Sequence, residues 1–383
     1  MKPRLPLYFD NHATTPLDPR VLEAMLPFFK EDFGNAESSQ HAYGWKAKSA
    51  VDKARAQVAD LIGAQAGEII FTSGATESIH LAVLGFLERQ PAGRHLITAN
   101  TEHKATLEVF ARAARLGHTT TILPVDKFGQ VSVAQVAAAL RPETVLVSLM
   151  HGNNEIGTLH PISAIGTLLR ERGITFHVDA AQTIGKHPID VQSMGIDLLS
   201  ISGHKYYAPK GVGALFARRS PPETSVSLAP FIAGGGHERG LRGGTHNVPG
   251  IVGLGCASEI AAADLSVENA RLTALRDHII SSVRMQLEDV DLNGHPTERL
   301  CNNVSLTIRG APSDILFTGL QDIAYSSASA CAGGGASHVL KAIGQTVSDP
   351  LVTTMRFGLG RFSTAEQVDT LISRLVATVR AAR

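Results

Sequence analysis

The chain has 383 residues, of which 44% are apolar and 18% are charged, and its 35 basic side chains are balanced by 35 acidic ones. This composition excludes extended disorder, and the lack of a block rich in Lys and Arg argues against a surface for nucleic acid or acidic membranes. Because hydrophobic cores usually divide beyond ~250 residues, we expect two domains. The balanced charge favours a small molecule as the binding partner.

Targeting signals and cysteine usage predict a cytoplasmic protein that holds no structural metal. No apolar stretch reaches the roughly 20 residues of a membrane span, and the start, MKPRLPLYFD, lacks the apolar segment of a secretory signal. Cys256, Cys301 and Cys331 are far apart in the sequence and form no C-x-x-C pair, which argues against zinc and against a disulfide framework. A functional thiol would therefore act singly.

The first two thirds of the chain alternate between short β-rich runs and helical patterns. The helix candidate YGWKAKSAVDKARAQVADLIG carries Val51, Ala54 and Val58 at helical spacing, with Gly63 as a stop. Strand and helix alternation predicts an α/β domain with a mainly parallel, doubly wound, seven-stranded sheet. Continuous apolar runs suit a sheet that is buried on both faces. The predicted strands are EIIFTS, HLITAN, TTILPV, TVLVSLMH, ITFHVD, LLSIS and GALFA.

The remaining third has a different pattern and predicts a smaller α+β domain. After VPGIVGLGCASEIAAA we expect a long charged helix near residues 267–290, strands NVSLTI and MRFGLG, and a last helix from Ser363 onward. The predicted domains are an N-terminal arm over residues 1–18 that joins the small domain, a large domain over 19–260 and a small domain over 261–383.

Two strand ends carry residues with the chemistry of a pyridoxal site. Lys205 follows the buried strand LLSIS, and a lysine there tends to lose its proton, which makes it a candidate Schiff-base amine. Asp179 ends the strand ITFHVD and could pair with a protonated pyridine nitrogen, while Gln182 could donate to a ring oxygen. Taken alone, Lys205 could also belong to a surface turn and Asp179 could cap a helix.

Further polar groups follow other strands. The turn SGAT opens a helix after EIIFTS, where free backbone N–H groups and the hydroxyl of Thr76 would form a phosphate cradle. His103 follows HLITAN and could stack on a ring and pass protons, and Asn154 follows TVLVSLMH. Each of these alone is more often a structural cap. Several such ends at one edge of a sheet predict a shared site.

The combination of motifs resembles the NifS/IscS-type cysteine desulfurases, which are fold-type I enzymes of the class V aminotransferase family. The resemblance covers nearly the whole chain and is far more specific than any one motif. It implies pyridoxal 5'-phosphate as the cofactor and L-cysteine as the substrate. In chain order the motifs are YFDNHATTP, TSGATES, TEHKATLE, NNEIG, HVDAAQT, SGHKYYAPKGVGAL, GGGHERGLRGGT, SASAC and MRFGLGRF.

The resemblance implies a role for each matching residue. Lys205 matches the lysine that holds the cofactor covalently, Asp179 the partner of the pyridinium, and His103 a residue that moves protons together with that lysine. Cys331 matches the nucleophile that becomes a persulfide, and Arg356 the arginine that pairs with the substrate carboxylate.

The same resemblance implies the remaining binding residues and a homodimer. Thr245 matches a residue that reaches the phosphate from the neighbouring subunit. Asn35 and Asn154 are expected to bind the substrate together with the arginine. The phosphate site is implied at Ala75, Thr76, Ser202 and His204, and the groups around the ring hydroxyl at Asn154 and Gln182.

We therefore expect a cysteine desulfurase that forms L-alanine and a persulfide on Cys331. The sulfur would pass to an acceptor protein, such as an iron–sulfur scaffold, or would be used in thio-cofactor synthesis. The alternatives are a selenocysteine lyase, another class V aminotransferase or lyase in which Cys331 is a bystander, and a scaffold protein. The retention of Lys205, Asp179 and Arg356 argues against a scaffold, and the lack of a G-x-G-x-x-G turn argues against a dehydrogenase.

The chain departs from the common pattern at several positions, among them His12 and the segment after Cys331. His12 stands in DNHATTP where alanine or asparagine is common. Only Ala332 to Ala336 separate Cys331 from SHVL, about two residues fewer than in long-loop members, which corresponds to roughly 7 Å of extended chain. We expect Cys331 still to form a persulfide but to deliver it over a shorter distance, or with a helper protein.

Overall fold

A computed structural model describes residues 6–222, 225–327, 337–345 and 349–383. The strands are β1 (Leu7–Tyr8), β2 (Ile69–Thr72), β3 (His95–Ala99), β4 (Thr119–Leu123), β5 (Thr144–Met150), β6 (Thr175–Asp179), β7 (Leu198–Ser202), β8 (Gly213–Ala217), β9 (Val290–Leu292), β10 (Asn303–Arg309), β11 (Ile323–Ala324), β12 (Ser326–Ser327) and β13 (Val352–Gly358). The α-helices are α1 (Pro19–Met25), α2 (Pro27–Lys30), α3 (Ala42–Leu61), α4 (Ala75–His80), α5 (Lys104–Arg115), α6 (Val133–Ala139), α7 (Ile162–Glu171), α8 (Val248–Gln286), α9 (Ser313–Gly319), α10 (His338–Ala342) and α11 (Ala365–Ala382).

The central sheet has seven strands in the order β2-β8-β7-β6-β5-β3-β4. Strand β8 is antiparallel to both of its neighbours, and the other neighbouring pairs are parallel. These strands coincide with the seven predicted runs, which confirms the predicted fold class. Because all strands except β8 point the same way, their carboxyl ends meet at one edge, where open α/β sheets bind ligands.

Both faces of the central sheet are buried, as the continuous apolar runs predicted. Leu199 and Ile201 of β7 pack on one face with residues of α3, α7 and α8. Leu198 of the same strand packs on the other face with residues of α4 and α5. Successive side chains of a strand point to opposite faces, so each run must be apolar at every position.

Helix α8 is one continuous helix of 39 residues. The sequence suggested a separate charged helix starting near residue 267, but nothing between Val248 and that point interrupts the helical hydrogen bonds. The helix also runs through residues 260 and 261, where the boundary between the two domains is predicted. A Cβ added at Gly255 would lie 2.6 Å from the Cα of Ala54, so this glycine allows α8 and α3 to pack closely.

Helix α8 is, among the described residues, the one helix long and apolar enough to cross a membrane by length and composition. Its apolar window is 44% buried inside the fold. Its first half packs into the core of the central sheet through residues such as Ile251 and Leu254, both at most 2% exposed. The apolar sequence of α8 is therefore explained by its packing in the core.

A second core forms around the four-stranded sheet β12-β13-β10-β9. Its neighbouring strands are antiparallel, and the second half of α8 packs on it together with α9 and α11. The N-terminal arm joins this core, because β1 pairs in parallel with β11 and the side chains of Leu7 and Phe9 are buried there. The arm then continues toward the edge of the central sheet.

We expect the anchoring of the arm to depend on Phe9, which is fully buried. Replacing Phe9 with Ala should lower the free energy of unfolding by about 3–5 kcal/mol, because a large core side chain leaves a cavity. Chemical denaturation followed by circular dichroism measures this loss. The matched control Phe317→Ala removes a phenyl ring that is 69% exposed, and should stay within about 0.5 kcal/mol of the parent. Equal losses for both variants would contradict the arm's packing role.

Candidate active site

A cavity of about 680 Å³ lies at the carboxyl edge of the central sheet. It is bounded by the ends of β2, β5, β6 and β7, by the N-terminal arm and by β13. The structure thus brings together residues that are as far apart in sequence as positions 12 and 356. The predicted site residues that line it are Ala75, Thr76, His103, Asn154, Asp179, Gln182, Ser202, His204, Lys205 and Arg356.

Lys205 lies in a short 3₁₀ turn, Gly203–Lys205, directly after β7. Its Nζ donates to the carbonyl oxygens of His12 at 2.5 Å and Ala13 at 3.0 Å, so the arm holds the amine. Burial, together with the positive charges of Lys186 and Arg356, lowers the pKa of Lys205 to about 8. An amine with this pKa loses its proton far more readily than an exposed lysine near neutral pH, and the unprotonated form is the nucleophile.

Lys186 lies beneath Lys205 and was not singled out from the sequence. It is 3% exposed, and its Nζ donates to the carbonyl oxygen of Lys205 at 2.7 Å and to that of Gln182 at 3.5 Å. Burial lowers its own pKa to about 8. Lys186 therefore fixes the backbone of the turn that carries Lys205 and also places a positive charge near its amine.

Asp179 ends β6 and is buried at the floor of the cavity. Its Oδ1 accepts from the backbone N–H of Ala181 at 2.9 Å, and among the described residues Oδ2 has no hydrogen-bond partner. Burial raises the pKa of Asp179, and the nearby charges of His103 and Lys205 oppose that rise. The carboxylate thus caps a turn with one oxygen and leaves the other for a positively charged group.

The start of α4 forms the part of the cavity suited to an anion. The first N–H groups of a helix have no acceptor inside it, and Ala75 and Thr76 bring these groups to the cavity wall. Gly74 precedes them with φ of 148°, a conformation that favours glycine. A Cβ on Gly213 would lie 2.6 Å from the Cα of Gly74, so β8 needs a glycine there to let the turn pack against it.

Ser202 and His204 complete this side of the cavity. Ser202 is the last residue of β7 and is 5% exposed. The Nδ1 of His204 lies 3.1 Å from the Oγ1 of Thr14 in the arm. Burial and the charges of Lys205, Lys210 and Lys186 lower the pKa of His204 to about 4, so its imidazole is neutral at physiological pH.

His103 and Asn154 follow β3 and β5 at the same edge. His103 is the N-cap of α5, and its Nδ1 accepts from the N–H of Ala105 at 3.1 Å. A neutral imidazole must then carry its proton on Nε2. The side chain therefore acts as a cap and also lines the cavity, so the two interpretations of this residue do not exclude each other.

Arg356 in β13 also lines the cavity. Its guanidinium donates to Asp10 Oδ1 at 2.9 Å, to Ser326 Oγ at 2.7 Å and to the carbonyl oxygen of Asn154 at 2.9 Å. These contacts join the small sheet, the arm and the loop after β5. Asp10 was not identified as a site residue from the sequence, although it lies within the motif YFDNHATTP.

Two of the predicted site residues lie outside this cavity, and a third falls outside the described residues. Asn35 is exposed and its Oδ1 accepts from the N–H of Glu37 at 3.0 Å. Thr245 is exposed and lies outside the cavity of its own chain. Cys331 lies outside the described residues. Of the described residues that flank it, Ser326 contacts Arg356, and the Oγ of Ser337 donates to Glu155 at 2.5 Å, one residue from Asn154.

The described residues match the chemical groups of pyridoxal 5'-phosphate. A deprotonable amine suits the aldehyde, a buried carboxylate suits the ring nitrogen, and a helix start with free N–H groups suits the phosphate. The amide of Gln182 lines the same cavity and suits the ring oxygen.

Comparisons with known proteins give one consistent result. The family model described as aminotransferase class-V matches residues 7–371. A protein named cysteine desulfurase IscS from Anaeromyxobacter dehalogenans is 50% identical over 384 residues, which covers 99% of this chain and 94% of that relative. A solved structure described as a NifS-like protein has a TM-score of 0.88 at 36% identity and covers 98% of this chain and 99% of its own. A structure described as SspA in complex with cysteine has a TM-score of 0.80 at 38% identity. The match covers 94% of this chain and 100% of that structure's chain.

We expect the pKa of Lys205 in the cofactor-free protein to lie near the value of about 8 and to rise when Lys186 is replaced with Met. The substitution removes a buried cation that opposes the ammonium form of Lys205. Acetylation of the cofactor-free protein across a pH series, measured at Lys205 by peptide mass spectrometry, determines this pKa. Lys48→Met, at an exposed position, is the control. A pKa that is unchanged or lower in Lys186→Met would contradict this electrostatic role.

Proposed function

The chain belongs to the aminotransferase class-V family, among its NifS/IscS-type cysteine desulfurases, and on that premise we propose that it uses pyridoxal 5'-phosphate to take sulfur from L-cysteine. The products are L-alanine and a persulfide on Cys331. The observation that carries the proposal is the convergence of Lys205, Asp179 and Arg356 on one cavity. This chemistry has three requirements. The amine provides covalent attachment, the carboxylate keeps the ring nitrogen protonated so that the cofactor can act as an electron sink, and the guanidinium recognises an amino-acid carboxylate.

The cofactor would be held by the residues that line the cavity between α4 and β6. When bound, pyridoxal phosphate supplies an electron-withdrawing ring that labilises bonds at the substrate carbons. Lys205 would attach it through Nζ, and Asp179 would keep a proton on the ring nitrogen. Ser202 and His204 would face the phosphate together with the N–H groups that open α4. Because His204 is neutral, its pKa being about 4, it would act there as a hydrogen-bonding group.

Recognition of the substrate would depend on Arg356. A guanidinium binds a carboxylate through two parallel hydrogen bonds, and the contacts with Asp10, Ser326 and Asn154 restrict its rotation. This pre-orientation lowers the entropy lost on binding. Asn154 lines the same cavity and would contact both cofactor and substrate. Asn35 could join the substrate site only if its loop, which is exposed in the single chain, moved or came from a second subunit.

Proton transfer would involve Lys205 and His103. Burial and the neighbouring cations lower the pKa of Lys205 to about 8, so its Nζ would be unprotonated in part of the molecules and could there accept a proton from the substrate. The Nε2 of His103 carries a proton in the neutral ring because Nδ1 is engaged by Ala105. That proton is available to the cavity, and the two residues together can accept and return protons during one turnover.

Sulfur transfer would occur at Cys331. Its thiolate attacks the sulfur of the substrate, so an S–S bond forms while the substrate's C–S bond breaks. The electron pair of the broken bond remains with carbon, which takes up a proton and leaves as alanine. Among the described residues on either side of Cys331 in the sequence, Ser326 contacts Arg356 and Ser337 contacts Glu155. A sulfur-acceptor protein, or an added reductant, then removes the sulfur.

The proposed enzyme is a homodimer in the cytoplasm. Thr245 is exposed and does not line the cavity of its own chain. Its position supports the inference that it reaches the cavity of a neighbouring subunit. An iron–sulfur scaffold or an enzyme of thio-cofactor synthesis is the proposed acceptor of the sulfur.

We predict that the purified yellow protein, given L-cysteine and a reductant, forms sulfide and alanine in equal amounts. Replacing Cys331 with Ala should lower sulfide formation by at least about 100-fold, because the covalent carrier is lost. Without a reductant, mass spectrometry should find one added sulfur atom on Cys331. Cys256→Ala is the matched control and should retain full turnover. Full turnover in Cys331→Ala, or pyruvate or another keto acid as product, would indicate another class V lyase or aminotransferase.

We predict that Arg356→Lys raises the KM for L-cysteine by roughly tenfold to a hundredfold, because one ammonium cannot replace a two-point contact with the carboxylate. Steady-state kinetics with a sulfide assay measures the change. Arg374→Lys, which keeps a partly exposed charge paired with Asp322, should leave KM unchanged. A normal KM in Arg356→Lys would mean that the substrate carboxylate binds elsewhere.

A further inference from the structure

We propose that His12 is a positioning residue that holds the amide of Gln182 so that it presents only an N–H donor to the cavity. This inference rests on the proposed function, because it concerns the group that would meet the ring oxygen of pyridoxal phosphate. It assigns a role to a residue at which this chain departs from the common motif.

His12 and Gln182 form a reciprocal pair of hydrogen bonds. The Nε2 of Gln182 donates to the backbone carbonyl oxygen of His12 at 3.0 Å. The Oε1 of Gln182 lies 3.0 Å from Nδ1 of His12. Because a carbonyl oxygen can only accept, the first contact fixes which end of the amide is nitrogen. Nδ1 of His12 must then be the donor in the second contact.

A residue of the small sheet, Asn303, determines the hydrogen-bonding role of the other ring nitrogen of His12, Nε2. The Nδ2 of Asn303, at the start of β10, lies 3.2 Å from Nε2 of His12. The Oδ1 of Asn303 accepts from the guanidinium of Arg299 at 3.2 Å, so its amide orientation is also determined. Nε2 of His12 is therefore an acceptor, and the ring is the neutral tautomer protonated on Nδ1.

The surroundings of His12 keep this tautomer uncharged. His12 is 1% exposed, and burial lowers its pKa well below the usual value, with further lowering by the charges of Arg356, Lys186 and Lys205. A protonated ring would also place an N–H donor against the amide nitrogen of Asn303. The hydrogen-bond chain thus has a single direction, from Arg299 through Asn303 and His12 to Gln182.

The pairing decides what Gln182 can offer to a ligand. Its Oε1 and one of its two N–H bonds are occupied by His12, and Gln182 lines the cavity. The second N–H is the group left for the cavity. A ring oxygen, particularly a deprotonated one, can accept from this N–H, whereas a donor group at the same place would face another donor. The carbonyl oxygen of His12 also accepts from Nζ of Lys205. His12 therefore contacts both the amine of Lys205 and the amide of Gln182.

The test uses two probes that differ only at the ring oxygen, namely pyridoxal 5'-phosphate and its 3-deoxy analogue. Binding of each to the cofactor-free full-length protein is measured by titration of the visible absorbance. We expect His12→Ala to weaken pyridoxal phosphate binding by about tenfold and binding of the 3-deoxy analogue by less than about twofold, because only the first loses an oriented hydrogen bond. His12→Asn, whose side-chain amide can occupy the place of Nδ1, should restore most of the difference.

A double-mutant cycle separates positioning from a general packing effect. In the Gln182→Ala background, His12→Ala should cost no further affinity for pyridoxal phosphate, because His12 acts through the missing amide. Asn11→Ala is the matched control, since Asn11 is a buried polar residue of the same arm that bonds Gly358 instead. Thermal unfolding of each cofactor-free variant accounts for any loss of fold.

The outcomes distinguish this inference from the proposed function. Equal weakening of both probes in His12→Ala, no weakening at all, or a full additional loss in the Gln182→Ala background would overturn the positioning role while the unsubstituted protein still binds pyridoxal phosphate. Failure of the unsubstituted protein to form its absorbing adduct would instead refute the proposed function.

Discussion

The burial of the Lys205 amine among other cations is the constraint on which the rest of the site depends. Lys186 donates to the carbonyl oxygen of Lys205, and Arg356 lies in the same cavity. Both charges disfavour the ammonium form, and burial disfavours it further, so the pKa falls to about 8. Asp179 is the opposing charge at the cavity floor. The arrangement makes the amine easier to deprotonate and places it in one cavity with a carboxylate, as pyridoxal chemistry requires.

The N-terminal arm links this constraint to the packing of the small core. Pairing of β1 with β11 and burial of Phe9 hold the arm in place. The residues that follow then supply the two carbonyl oxygens that bind Nζ of Lys205, and Asp10 binds Arg356. The Lys205 amine and the Arg356 guanidinium are therefore positioned by one short segment, whose stability comes from apolar contacts outside the cavity.

The polar groups between the two cores form a connected chain. Arg299 is buried and donates to Asn303, which contacts His12, which in turn pairs with Gln182. Burial lowers the pKa of Arg299 to about 9, so it stays charged at neutral pH and orients the groups beyond it. Hydrogen bonds are stronger in such a low-dielectric setting, so the contacts along this chain restrict the amide of Gln182 to one orientation. A fixed orientation suits the proposed binding of a cofactor ring.

The sequence by itself determined the seven strands, the buried character of their sheet and the strand-end positions of Lys205, Asp179, His103 and Asn154. These features follow from local patterns, because apolar runs mark buried strands and parallel strands bring their carboxyl ends to one edge. The tertiary structure alone decided which groups surround those residues. Lys186, Asp10 and the partners of His12 act across the fold, and no spacing in the chain encodes a contact between positions 12, 182 and 303. It also decided that α8 is continuous and that Asn35 and Thr245 lie outside the cavity of their own chain, because exposure depends on three-dimensional packing and is not written in the order of residues.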